Sequence, residues 1–164
     1  MTDAELIESF RRGDSASFET LYYRHRDWIV TLAGRYCRNR EDTFDVLQET
    51  FAYFVRKLPD FELRSQFRTF LYPVVKHLAL DRRRRDIPME IPDRAAPPEA
   101  EKAELDLKDV PETHREVVLM RFVDGLDLKE IAEALEIPVG TVKSRLHAAL
   151  EILRRNEPLG PANS

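Results

Sequence analysis

The chain lacks the features that define several common classes of protein. A single cysteine, Cys37, among 164 residues excludes an intramolecular disulfide and fits a reducing compartment. No apolar run approaches the roughly 20 residues of a membrane-spanning helix. The N-terminus has neither the basic nor the apolar segment of a secretory signal. We therefore expect a cytoplasmic protein that does not insert into a membrane.

Catalytic and metal-binding motifs are absent as well. The four histidines are scattered along the sequence, and neither an HExxH nor a CxxC pair occurs. Only five glycines are present, and they form no phosphate-binding loop. Because metal and nucleotide sites need such residues at fixed spacings, we predict no metal, no cofactor, no catalytic residue and no enzymatic activity.

The chain also lacks an excess of basic charge. It carries 26 lysines and arginines against 30 aspartates and glutamates, a net charge of −4. A protein that binds DNA strongly by itself usually has a basic excess, since phosphate contacts supply most of the nonspecific affinity. The acidity is concentrated in residues 86–106, which hold seven acidic side chains, two basic ones and four prolines. This composition predicts a flexible, acidic, proline-containing linker between a domain at 1–85 and a domain at 107–164.

Both flanking segments show helical periodicity and no strand signal, which predicts an all-α fold of two small helical domains. In the first domain, Thr2 and Glu5 have the spacing of a capping box for a short first helix. A long second helix is predicted from Ser15 to Arg38. The third is predicted to begin near Asn39 or Glu41, to stop at Pro59, and to present an apolar face of Phe44, Leu47, Phe51, Phe54, Val55 and Leu58. The fourth is predicted to contain Pro73 and to end at the basic run 82–85.

The second domain has the pattern of a helix-turn-helix. Residues 128–135 carry apolar side chains at the spacing of one helix face, and Pro138 suits the first turn of a following helix. That helix places small and hydrogen-bonding side chains opposite its apolar side, with Lys143 and Arg145 flanking them at phosphate height. Such a helix is typical of major-groove recognition. Glu136 occupies the turn, where a left-handed backbone costs a non-glycine residue about 1 kcal/mol or more.

Several segments of the chain resemble bacterial sigma factors of the extracytoplasmic-function group. The stretch EDTFDVLQETF at 41–51, together with segments 67–72 and 78–82, closely resembles sigma domain 2. Segments 115–126 and 139–146 resemble sigma domain 4. The resemblance implies a domain 2 helical bundle, a domain 4 helix-turn-helix, and a role in promoter-specific transcription initiation with core RNA polymerase.

The resemblance also assigns roles to individual residues. Recognition of the −35 element is implied for Thr141, Lys143, Ser144, Arg145 and His147. Recognition and melting of the −10 element are implied for Arg64, Ser65, Phe67, Arg68, Phe70, His77 and Arg82. Docking on the β′ clamp helices of the polymerase is implied for Asp45, Gln48, Glu49 and Phe51. The implied partners are core polymerase, through its β′ clamp helices and β flap, promoter DNA and an anti-sigma factor, and we expect a monomer in isolation.

Some of these positions also fit a purely structural role. Phe67 and Phe70 have the spacing of core residues, and Phe51 fits either the core or a docking anchor. The basic run 82–85 can bind phosphates, or it can simply favour the negative end of a helix dipole.

Two other functions stay open from the sequence. One is an autonomous helix-turn-helix regulator that binds operators as a dimer, although no dimerisation helix is evident. The other is a sigma-like interaction module that binds polymerase or an anti-sigma factor without recognising a promoter. Pro73 inside the fourth helix, and His77 where the family often has asparagine, leave this second alternative open. Promoter-directed run-off transcription with core polymerase distinguishes the three.

Overall fold

A computed structural model describes residues 1–85 and 107–156 of the chain. Within these ranges the structure is helical and contains no strand, which confirms the all-α prediction. The predicted linker over 86–106 lies outside the described residues. The chain divides into two compact units, Met1–Glu101 and Lys102–Ser164, which we call the N-terminal and C-terminal units. No helix in the described ranges is long and apolar enough to cross a membrane.

Within residues 1–85 the N-terminal unit contains four α-helices and one short 3₁₀ helix, and the first three α-helices begin at polar caps. Thr2 and Glu5 form the predicted capping box, and the Asn39 side chain accepts a hydrogen bond from the backbone N–H of Asp42 at 2.8 Å. These caps satisfy backbone donors that the first turn of a helix leaves unpaired. The helices are α1 Asp3–Arg11, α2 Ser15–Gly34, α3 Arg40–Lys57, the 3₁₀ helix Leu58–Asp60, and α4 Phe67–Arg85.

The core of the N-terminal unit lies between α2, α3 and α4, and α1 packs on α2. Its centre is aromatic. Phe54 of α3 meets the ring of Phe67 at a centroid distance of 5.0 Å, and Phe61 meets Phe70 at 4.6 Å, both edge to face. Such pairs contribute beyond their buried area because the ring edges and faces carry opposite partial charges. The start of α4 is therefore fixed by the core of the unit.

The face that α3 buries differs from the predicted one. Phe44 and Val55, both predicted to be buried, are 37% and 40% exposed. Two threonines lie on the buried face instead: Thr50 donates its hydroxyl to the Val46 carbonyl at 2.7 Å, and Thr43 bonds similarly within the helix. A hydroxyl that is satisfied by its own helix can be buried at little cost, so α3 is rotated relative to the stripe of largest apolar residues.

Within residues 107–156 the C-terminal unit contains three α-helices, which are α5 Glu112–Phe122, α6 Leu128–Leu135 and α7 Val139–Asn156. Both α5 and α6 pack on α7. Asp127 and Glu130 form a capping box at the start of α6, and the hydrogen bond from the backbone N–H of Glu130 lowers the pKa of the Asp127 carboxyl. Buried Val118 and Ala149 bring α5 and α7 together, with Val110 beside them.

The turn between α6 and α7 has the left-handed conformation predicted for Glu136. Its φ and ψ are 55° and 46°, and no other non-glycine residue in the described ranges has a positive φ. The N–H of Ile137 then donates back to the Ala132 carbonyl at 3.1 Å, which closes the end of α6. A single strained residue thus sets the angle at which α7 leaves α6.

Candidate nucleic-acid interface

The exposed side of α7 carries most of the residues predicted to read the −35 element. Lys143, Ser144 and His147 are exposed, whereas Val142 and Ala149 on the opposite side are buried. Ser144 directly follows Lys143, and His147 lies three residues after Ser144 and four after Lys143. The three residues therefore share one helix face, which we call the reading face. The structure places the other two predicted residues, Thr141 and Arg145, half-buried beside it.

The chemistry of the reading face suits a DNA groove. Ser144 and His147 offer short hydrogen-bonding groups, and Lys143 offers a positive charge that can meet a phosphate. Within the described part of the chain, no ion pair involves these three side chains. Their polar groups therefore do not have to break an ion pair of the unit before they bind a partner.

In the N-terminal unit, the loop before α4 displays two of the residues predicted to act at the −10 element. Arg64 and Ser65 are exposed there, and His77 is exposed further along α4. The base of this loop is held from α1, because Arg11 donates through Nη2 to the Leu58 carbonyl at 3.1 Å and to the Phe61 carbonyl. This long-range contact could not be predicted from the sequence, because a backbone carbonyl acceptor is not marked by any particular type of side chain.

The aromatic residues predicted to contact the −10 element lie deeper. Phe67 is 1% exposed, and its ring packs between Phe54 and His25 at centroid distances of 5.0 and 5.2 Å. Phe67 is thus a core residue in this structure, one of the two positions that the sequence left open, and its contact with DNA stays a prediction. Phe70 is half-buried against Phe61, and Arg68 is half-buried with its guanidinium 5.0 Å from the Trp28 ring centroid.

The residues predicted to dock on the polymerase lie on α3. Gln48 is exposed, and the carboxylates of Asp45 and Glu49 are 43% and 42% exposed. Phe51, however, is only 3% exposed and packs on Tyr22 and Phe18, with the Phe18 ring centroid 5.7 Å away. Phe51 therefore lies in the core, one of the two positions that the sequence left open, and its docking role stays a prediction.

An aromatic residue that was predicted to be buried takes the exposed position instead. Phe44 lies one helical turn before Gln48 on the outer side of α3, and the Arg40 guanidinium is 5.5 Å from its ring centroid. We call Phe44, Asp45, Gln48 and Glu49 the α3 face. The burial of Thr43 and Thr50 is the signal that would have identified Phe44 as exposed, but threonine burial cannot be read from periodicity alone.

Arg82, which was also predicted to act at the −10 element, contacts carboxylates of α3. Its Nη1 lies 2.9 Å from Oδ2 of Asp45 and 3.8 Å from Oδ1 of Asp42, and its Nη2 donates to the carboxylate of Glu49. The hydrogen bond with Glu49 is the largest influence on its pKa, and with the nearby carboxylate charges it raises that pKa above the ordinary value. The structure thus brings together one predicted DNA-binding residue and two predicted polymerase-docking residues.

The described residues contain no group of three or more histidine, cysteine or acidic side chains that could hold a metal ion. The groups that come together are instead exposed polar side chains on helix faces. They can form hydrogen bonds and ion pairs with a macromolecular partner.

Comparison with known proteins relates both units to one family. The description "Sigma-70 region 2" matches residues 21–86, and "Sigma-70, region 4" matches residues 107–153. SigW of Bacillus subtilis, an ECF RNA polymerase sigma factor, is 29% identical over 91% of this chain and 93% of its own length. The ECF RNA polymerase sigma-E factor of Haemophilus influenzae is 29% identical over 97% of each chain.

Solved structures show the same fold. CnrH, determined in complex with the cytosolic domain of CnrY, superposes with a TM-score of 0.72 at 25% identity, covering 93% of this chain and 95% of its own. The sigma factor RpoE of Bartonella quintana superposes with a TM-score of 0.64 at 19% identity, covering 86% and 98%. The two family matches together cover more than half of the chain, which therefore belongs to the sigma-70 family of promoter-directing RNA polymerase sigma factors, in its extracytoplasmic-function group.

Proposed function

We propose that this sigma factor carries core RNA polymerase to promoters whose −35 element is read by α7 and whose −10 element is opened by residues around the start of α4. The observation that carries the proposal is the reading face, an exposed polar face on the second helix of a helix-turn-helix whose opposite face is buried. In this assignment residues 1–85 act as domain 2, 86–106 as the linker and 107–164 as domain 4.

At the −35 element, Ser144 and His147 contact base edges, and Lys143 contacts a phosphate. The half-buried Thr141 and Arg145 border the groove walls. Because the whole chain is acidic, this helix supplies specificity more than affinity. The polymerase that holds the sigma factor supplies the remainder.

At the −10 element, the exposed loop is the first point of contact. Arg64 and Ser65 lie in it, and His77 follows on α4. Melting needs a surface on which an unstacked base can stack, because stacking of a base on an aromatic side chain contributes roughly 1–3 kcal/mol. The half-buried Phe70 and Arg68 border that surface, and buried Phe67 supports it from below.

The α3 face is the proposed docking surface for the β′ clamp helices of the polymerase. Phe44 replaces Phe51 as the apolar anchor, because only Phe44 is exposed. Asp45, Gln48 and Glu49 surround it with polar groups, an arrangement of an aromatic centre and polar rim that is typical of protein interfaces.

The remaining assignments concern partners and place of action. The polymerase carries out RNA synthesis, so the sigma factor needs no catalytic residue of its own, and it acts in the cytoplasm, where the polymerase and the promoter meet. Domain 4 docks on the β flap. An anti-sigma factor as a further partner is supported by the similarity to CnrH, whose structure was determined with the cytosolic domain of CnrY.

Run-off transcription with core polymerase tests the assignment of the reading face. A Ser144→Ala, His147→Ala variant is expected to lose about fivefold or more of its preference among −35 sequences, because each base contact contributes roughly 1–3 kcal/mol. Arg155→Ala, an exposed change beyond the reading face on the same helix, is the matched control and should keep the preference. Equal preference in all three proteins would refute the assignment.

Binding of the full chain to core polymerase tests the α3 face. Phe44→Ala is expected to weaken binding about tenfold, equivalent to roughly 1.4 kcal/mol for an interface anchor. Tyr23→Ala removes an aromatic ring that is even more exposed, on α2, and should leave binding unchanged. Similar losses from both variants would show that α3 is not the docking surface.

A further inference from the structure

Arg82 lies near the end of α4, but its guanidinium is committed to α3. Three α3 carboxylates surround it, at 2.9 Å for Asp45, at 3.8 Å for Asp42, and in a direct hydrogen bond for Glu49. These carboxylates follow one another at spacings of three and four residues, which places them on one side of the helix. A single planar guanidinium can therefore reach all of them. A lysine ammonium, which is a compact point charge, could not do so as well.

We propose that Arg82 is a positioning residue of the polymerase-docking surface, which holds Asp45 and Glu49 in place, and that it is not a DNA contact. The inference rests on the proposed docking function of the α3 face. It changes the assignment that the sequence implied for Arg82, from the DNA-binding surface to the polymerase-binding surface.

The exposures of the three side chains fit this role. Arg82 is 24% exposed, whereas Asp45 and Glu49 are 43% and 42% exposed. Each carboxylate therefore meets Arg82 on its inner side and keeps an outer side for a partner. A carboxylate can accept several hydrogen bonds at once, so docking does not require the internal pair to break.

Arg82 also offsets the repulsion that three carboxylates on one helix side exert on one another. Like charges at these helical spacings disfavour the helix, and their side chains would otherwise turn away into solvent. Fixing them before the partner arrives removes part of the entropy cost of binding. The neighbouring Arg85 differs, because it pairs with Asp81 on its own helix at 2.9 Å and is largely exposed.

The test is an Arg82→Gln substitution in the full chain, with two binding measurements. Affinity for core polymerase should fall about tenfold, which corresponds to about 1.4 kcal/mol. The salt dependence of promoter binding by the assembled holoenzyme should not change, whereas loss of a phosphate contact would reduce its slope by about 1. Arg24→Gln is the matched control, because it removes an exposed ion pair with Asp3, of 2.8 Å, from the same unit, and it should leave both measurements unchanged.

Two further variants separate positioning from a general loss of stability. Val75→Ala truncates a fully buried residue of α4 and should lower the unfolding temperature without weakening core binding at 25 °C. Glu49→Gln should weaken core binding, and the Arg82→Gln, Glu49→Gln double variant should lose much less than the sum of the two single losses, because both act through one contact.

The outcomes distinguish the inference from the proposed function beneath it. If Glu49→Gln and Asp45→Asn leave core binding intact, the docking function of the α3 face is wrong. If Glu49→Gln weakens core binding while Arg82→Gln does not, only the positioning role is wrong. A reduced salt slope for Arg82→Gln, with unchanged core affinity, would return Arg82 to the DNA-binding surface.

Discussion

The two units of this sigma factor present their functional side chains in opposite ways. In the C-terminal unit, Lys143, Ser144 and His147 stand on an exposed helix face and take part in no ion pair within the described residues. In the N-terminal unit, Phe67 is buried and Arg82 is held by carboxylates of α3. A small three-helix unit leaves one face of its last helix uncovered. A larger bundle with an aromatic core instead uses two of its predicted DNA-binding residues to hold itself together.

The difference between the two units shows where the type of a residue indicates its function. On α7 the buried side consists of aliphatic and small residues, so the polar residues opposite are exposed by default. Around α4 the aromatic residues are suited both to stacking with bases and to packing with each other. Phe67 packs against Phe54 and Phe70 in the core. Aromatic residues near a loop that is predicted to bind DNA are therefore weaker indicators of a DNA contact than short polar residues on the exposed face of a helix.

Among the variants that test this difference between the units, Phe67→Ala is expected to have the largest effect. Removing a fully buried aromatic ring should destabilise the N-terminal unit by about 3–5 kcal/mol, from lost burial and the cavity left behind. Trp28, the single tryptophan, lies in this unit and reports its unfolding in urea. Phe44→Ala, on an exposed ring, should change stability by only about 0.5 kcal/mol. Equal effects of the two variants would mean that Phe67 is not a core residue.

A smaller effect, of opposite sign, is expected in the C-terminal unit. Glu136→Gly should stabilise that unit by about 1 kcal/mol, because glycine adopts a φ of 55° without the steric cost of a side chain. Amide hydrogen exchange of α6 and α7 in the full chain would measure it. Glu133→Gly, at an exposed position inside α6, should instead destabilise by roughly 1 kcal/mol. Slower exchange in both variants, or in neither, would contradict the left-handed turn.

The smallest effect concerns acid sensitivity, which should differ between the units. His25 is buried, and its Nε2 lies 2.8 Å from the Asp3 carboxylate. Burial lowers the pKa of His25 below the ordinary value of 6.5. The Asp3 carboxylate opposes this shift, and the positive charges of Arg68 and Arg24 add to it. The unfolded chain then binds the proton more readily, so stability is full above about pH 6.5 and declines as pH falls toward the lower folded pKa.

The measurement is the unfolding midpoint followed through Trp28 between pH 7.5 and pH 5.5. His25→Gln should remove most of the decline in this interval, and His77→Gln, at an exposed histidine of the same unit, should retain it. In the C-terminal unit, the stability that the lowered pKa of Asp127 contributes is lost only as the pH falls below the ordinary value of 3.8, which lies outside this interval. A decline that persists in His25→Gln would assign the acid sensitivity to other groups.

Much of the local structure could be predicted from short patterns in the sequence. The capping box of Thr2 and Glu5 and the left-handed Glu136 occur as expected, and α3 begins at Arg40, between the two predicted starting points Asn39 and Glu41. Each depends on interactions within a few residues of the chain, between side chains and the backbone beside them. The long second helix ends at Gly34 rather than at the predicted Arg38, an error at the boundary, where local patterns are weakest.

The candidate site was predicted less evenly. The reading face follows from the amphipathic pattern of one helix, and the exposures of Ser144 and His147 agree with it. The α3 face did not follow, because the helix has two overlapping stripes, and the buried stripe includes the satisfied hydroxyl of Thr50. The roles of these residues toward DNA and polymerase stay predictions.

The sequence by itself determined the all-helical content, the start of most helices, the strained turn at Glu136 and the family to which the chain belongs. Local hydrogen bonding and side-chain periodicity are sufficient for these, since both act over distances of one or two helical turns. The tertiary structure was needed to show that Phe44 is exposed, that Phe67 is buried, and that Arg82 of α4 forms an ion pair with Glu49 of α3. Those outcomes depend on how whole helices rotate against one another, and that rotation is set by the packing of the entire core.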